Sequence, residues 1–222
     1  MGTVLNDVLG PAIGIALSPI PIIAAILMLL SARAVKTAPA FALGWLAGIV
    51  LVALVVMLFV PRSAANGHDG GGVVVGIIKL VLGAFFLVLA VRQWRSRPRP
   101  GDKPQLPKWM SGVDRMSIAQ AIGIGAALAA LNPKNLPLAL SAGLSLAGAS
   151  AGSAVTGLIV FSLLAASTVL VPVIGYFLFR DKLSSSLESM KDWLTRNNAT
   201  VMFVVLLVFG VVLIGNGLGL LF

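Results

Sequence analysis

Two lysines and two Ser-Pro or Asn-Pro steps hold the chemistry open to this chain. Around the first step the sequence reads Ala16-Leu17-Ser18-Pro19-Ile20-Pro21, and around the second Ala130-Leu131-Asn132-Pro133-Lys134-Asn135. Proline lacks an N–H and clashes with the preceding turn, while Ser and Asn favour the position before a helix and Pro its first residue. Each step therefore predicts an interruption, with a new helix starting at Pro19 and at Pro133. A helix start presents unpaired N–H groups and roughly half a positive charge, which attracts an anion where screening is poor. Lys134, in the first turn of the second new helix, is electrostatically misplaced unless an anion joins it or its side chain snorkels to the surface. Lys79 has the same two options nearer the outer interface. No Asp or Glu occurs from Val8 to His68, from Gly70 to Gly101 or from Arg115 to Arg180, so the missing counter-charge can belong to a substrate.

Other chemistry is sparse. With no Cys, disulfides, thiolate metal sites and dithiol redox reactions are excluded. The one His, His68, lies in the Gly-rich turn between Pro61 and Gly72 and reads as solvated rather than as a metal ligand. Neither a nucleophile and base pair nor a carboxylate pair nor a cofactor motif is visible, so no enzyme, cofactor or metal is expected. Buried carboxylates for a proton relay are absent too, Asp7 being the one acid near a span.

The elements that must position these residues follow from composition. Of 222 residues, 59% are hydrophobic and 10% charged, and the mean hydropathy is +1.04. Too few polar side chains remain to coat a water-soluble core, so apolar surface must face lipid. A membrane helix needs about 20 apolar residues. Six stretches qualify, near 8–31, 38–60, 73–91, 117–147, 153–179 and 199–221, and the first is expected to be retained rather than cleaved as a signal. The net charge of +9 would suggest nucleic acid in a soluble protein, but here it reflects basic loops. The loops after spans one, three and five hold nearly all the Lys and Arg, whereas the opposite side has Arg62. Positive charge marks the cytoplasmic side, so both termini are expected outside the plasma membrane.

Three segments result: a three-helix unit at 1–91, a basic, Pro-rich linker at 92–116 expected to be extended, and a second three-helix unit at 117–222. Within the last, Leu183, Leu187, Met190 and Leu194 repeat at helical spacing near 181–198, with a capping box at Ser185 and Glu188. That pattern predicts a separate interfacial helix. Gly10 with Gly14, Gly44 with Gly48, Gly148 with Gly152 and Gly215 with Gly219 form small-residue faces for packing within the chain or in a homodimer. Trp45, near the cytoplasmic boundary, fits an interfacial aromatic belt.

Ala16, Leu17 and Pro19 align with Ala130, Leu131 and Pro133. Three spans per unit force the two units to insert in opposite directions, the inverted-repeat plan of many secondary transporters. The expected fold is thus all-α: a polytopic membrane protein of six transmembrane helices in two inverted repeats, with helices one and four broken at proline.

Three motifs, Leu17-Ser18-Pro19-Ile20-Pro21, Phe41-Ala42-Leu43-Gly44-Trp45 and Leu131-Asn132-Pro133-Lys134-Asn135 with Leu136-Pro137-Leu138-Ala139-Leu140, resemble the actinobacterial GAP family of LysE-type translocators over the whole chain. The resemblance implies a six-helix fold and a part in moving glycolipids or peptidoglycolipids to the cell surface. By matching positions it implies a substrate region at Ser18, Pro19, Pro21, Asn132, Pro133, Lys134 and Asn135, to which the residue reading adds Lys79. The expected role is transport or flipping of an anionic, lipid-linked envelope molecule. Export of a small anion or amino acid, or an accessory role in a larger lipid exporter, are the alternatives.

Overall fold

The computed structural model describes residues 2–61, 71–97, 108–219 and 221. The turn holding His68 and the linker prolines Pro98, Pro100, Pro104 and Pro107 lie outside the described residues. Within the described residues the regular elements are all helical: α1 (Gly2–Ala16), α2 (Pro19–Leu29), α3 (Ala34–Phe59), α4 (Gly71–Arg95), a 3-10 segment (Lys108–Arg115), α5 (Ile118–Ala130), α6 (Asn135–Ala147) and α7 (Ala151–Leu218). Phe179 leaves helical geometry, at φ −138° and ψ 37°, and divides α7 into arms Ala151–Phe179 and Leu183–Leu218.

Among the described residues four helices are long and apolar enough to cross a membrane: Ala34–Phe59, Gly76–Arg95 and the two arms of α7. A fifth crossing is available to α1 and α2 together, bent by 55° at their break, whereas α5 and α6 are each shorter than a span. Large apolar side chains such as Leu58, Phe59, Val171 and Leu178 are exposed on these helices, a surface that water would not tolerate and lipid requires. The protein is a multi-pass membrane protein.

Both expected interruptions are present, with one shift. α2 starts at Pro19, while α6 starts at Asn135, two residues beyond Pro133. The bond from the Leu136 amide to the Asn132 carbonyl (2.9 Å) already closes a helical turn there, so the chain bends back into helix before the regular run begins. Pro11, Pro39 and Pro172 lie inside helices without breaking them.

Helices do not attract each other in lipid by hydrophobicity, so close backbone approach supplies the packing. α3 lies beside α5 in the same direction: a Cβ on Gly44 would meet the Ile122 backbone, and one on Gly125 the Phe41 carbonyl and Trp45 amide. α4 runs antiparallel to the second arm of α7, with Gly83 against Gly210, Gly76 against Gly217, and Trp94 on Phe203 at 4.7 Å between ring centroids. α1 and α6 are antiparallel as well, since Gly14 faces Leu138 and Ser18 faces Asn135.

Four local expectations are corrected. The end of the linker is folded rather than extended: the 3-10 segment and the residue after it bury Met110, Val113 and Met116, and Arg33 Nη1 donates to the Met116 carbonyl at 3.4 Å. Residues 183–198 are the opening turns of the last crossing helix and not a separate helix, and Leu187 and Leu194 face inward. Ser185 lies inside that helix and caps nothing; the capping box is at Ser117 and Gln120 instead, ahead of α5. Trp45 is not in an interfacial belt. It is 1% exposed, because α5 covers it, and its indole N–H has no partner.

Candidate functional site

Pro19 has no amide to offer, so the last turn of α1 is left with carbonyls that the helix does not satisfy. The Ser18 amide bonds to Ile15 rather than Gly14. Two downstream side chains supply donors: Lys134 Nζ donates to the Gly14 carbonyl, and Thr168 Oγ1, from the first arm of α7, donates to the Ala16 carbonyl at 2.7 Å. The second interruption is treated alike, with Asn135 Nδ2 donating to the Leu128 carbonyl at 3.3 Å. The two breaks are then joined directly, Ser18 Oγ donating to Asn135 Oδ1 at 2.9 Å.

This junction is dry. Ser18 is 2% exposed, Lys134 1% and Asn135 0%. Lys134 therefore does not snorkel. Its ammonium faces the C-terminal end of α1, where the helix dipole and the bare carbonyl favour a cation, which offsets its unfavourable position at the start of α6. The Ser18 side chain is not the expected cap, since its hydroxyl is spent on Asn135. Asn132 does behave as a local cap, its Oδ1 accepting from the Lys134 amide at 3.0 Å. Few amides are left to hold an anion: Pro19 and Pro21 donate nothing, so the first turn of α2 offers Ile20 alone.

Of the residues singled out from sequence, Ser18, Lys134 and Asn135 meet, with Asn132 beside them. Pro19 and Pro21 are buried as the start of α2, whereas Pro133 is exposed. Lys79 is elsewhere. It lines a separate cavity of about 730 Å³ whose wall also includes Asp7, Ser141 and Asn216. Leu138 and Phe209 line that cavity and also pack on Gly14, so their side chains lie between the cavity and the junction. Thr168 is the junction residue that sequence reasoning missed. One signal was present: a hydroxyl in the apolar run of a membrane helix needs an acceptor, and a broken helix nearby supplies one.

Among the described residues no cluster of His, Asp or Glu could hold a metal ion. No curated protein and no solved structure matches the chain. Residues 8–219 match the family described as "Sap, sulfolipid-1-addressing protein", and because that match runs through both interrupted helices and the lysine between them, the chain belongs to this family.

Proposed function

We propose that this protein moves an anionic, lipid-linked molecule of the cell envelope, of the glycolipid class, across the plasma membrane as a transporter or flippase. Its frame would be two inverted three-helix halves, 1–91 and 117–222, with α5 and α6 together serving as the fourth crossing and both termini outside. The family name, which speaks of addressing a sulfolipid, supports the lipid. The antiparallel courses of α1 and α6, and of α4 and the second arm of α7, support the frame.

The observation that carries the reading is Lys134: a fully buried cation whose ammonium bonds a backbone carbonyl where two interrupted helices touch. A charge so placed is costly unless it has work to do. In the closed form it holds the α1 carbonyl. An anionic headgroup would compete for the same ammonium, and because an anion binds it more strongly than a neutral carbonyl does, the exchange would free Gly14 and loosen the contact between the halves. Ser18 and Asn135 would part in the same step and offer hydrogen bonds to the passing headgroup. The two states then differ by bonds that are swapped rather than lost.

The test is translocation of a fluorescent anionic glycolipid in proteoliposomes. Lys134→Ala should lower the rate at least about ten-fold, the loss of one charge-assisted bond, while the protein still inserts. Undiminished movement in that variant sinks the assignment.

A further inference from the structure

The cavity that holds Lys79 lies between the N-terminal halves of α1 and α4, the C-terminal ends of α3 and α7, and one face of α6 along its length. Its lining changes character with depth. Asn6, Asp7 and Asn216 are exposed at one end and Lys79 is half-buried beside them, whereas Leu138 is buried at the other, where Phe209 meets it over Gly14. From Gly148 to Leu138 along α6 the cavity descends roughly 15 Å at ~1.5 Å per residue, about half the thickness of the hydrocarbon core. Its volume of about 730 Å³ falls within the usual range for sites that enclose a small molecule.

We propose that this cavity is a binding site, distinct from the Lys134 junction, for a negatively charged sugar carrying an acyl chain; the proposal rests on the lipid-transport reading above. The chemistry of the wall selects the class. A simple anion would meet the Asp7 carboxylate at the same rim as Lys79 and be repelled. A bare hydrocarbon chain would leave the polar rim unused. A sugar matches it, because the Asp7 carboxylate accepts from hydroxyls while the Asn6 and Asn216 amides both donate to them and accept from them. Asn6, Asp7 and Asn216 take the hydroxyls, Lys79 takes the anionic substituent, and the chain descends past Ser141 and Ser145 onto Leu138 and Phe209. The Leu138 floor closes the site one helical turn from Lys134, which makes it the outer station on the path.

The experiment uses the full chain in phosphatidylcholine nanodiscs and three probes: a sulfated disaccharide bearing one acyl chain, the same molecule unsulfated, and dodecyl sulfate. The wild type should bind the sulfated glycolipid most tightly. Lys79→Ala should weaken that binding about ten-fold and leave the unsulfated probe unchanged, and Lys79→Arg should restore it. If Lys79→Ala does not fold, Lys79→Gln carries the same test. Filling the chain path with Ser141→Leu and Ser145→Leu should abolish binding of both glycolipids. Equal affinity of wild type and Lys79→Ala for the sulfated probe, retention in the filled variant, or dodecyl sulfate binding as tightly as the sulfated glycolipid overturns the site. Translocation in the same membranes separates the two proposals. Lys79-dependent binding without movement of lipid keeps the site and defeats the transport reading, while movement with binding indifferent to Lys79 does the reverse.

Discussion

Each proline at a break removes an amide, and the carbonyls left behind dictate which side chains the neighbouring helices must bring. Thr168 answers Ala16, and Lys134 answers Gly14. Replacing Thr168 with Val keeps the shape but strips the donor, so the Ala16 carbonyl stays buried and unpaired. The expected loss is about 1 kcal/mol, the size typical of such bonds in membrane proteins, read as a lower thermal midpoint in detergent. An unchanged midpoint would mean that another donor reaches that carbonyl. At this scale the sequence was informative where a residue stands out against an apolar background. Ser18, Pro19, Asn132, Pro133 and Lys134 are conspicuous for that reason. Their partners were not readable, because the Ser18 to Asn135 and Ala16 to Thr168 bonds join positions more than a hundred residues apart, and nothing local records which helix faces which.

Helix packing turns on where glycine is obligatory and where it is merely present. Gly123 and Gly125 lie one turn or less apart on α5, yet a Cβ at Gly123 would meet nothing within 4 Å, whereas one at Gly125 would strike the α3 backbone. The same substitution should therefore have opposite signs. Gly123→Ala should stabilise by up to about 1 kcal/mol through helix propensity. Gly125→Ala should destabilise by about 2 kcal/mol or more, because backbone cannot yield as a side chain can. Paired unfolding measurements check both, and two changes of one sign would refute the packing described. Gly44 and Gly48 were legible as a small-residue face, and α5 fills it. Gly152 and Gly215, read the same way, have open space around them. The seam of Gly76 and Gly83 against Gly217 and Gly210 escaped notice, since its residues are seven apart rather than four. The end of the fifth span at 179 was legible from the charges that follow, but the immediate resumption of helix was not, because amphipathic spacing alone does not tell a surface helix from the first turns of a span.

At the scale of the whole molecule, the proposed orientation puts Ser96, just past the end of α4, on the cytoplasmic side and Gly152, at the start of α7, on the outer one. The chain has no cysteine, so single replacements report without background. Both positions are exposed. Gly152→Cys should react with a membrane-impermeant maleimide on intact cells and Ser96→Cys only after permeabilisation; the reverse result would invert the proposed orientation. Membrane character was plain from composition, while the number of crossings depends on whether short helices pair up, which hydropathy cannot decide. The crosswise hydrogen bonding also bears on biogenesis. Gly14 and Ala16 emerge from the ribosome long before Lys134 and Thr168, so a nascent first half would wait in the bilayer with bare acceptors. A chain truncated after α4 should accordingly be a substrate for membrane proteolysis, and supplying the missing portion as a second polypeptide should rescue it from degradation.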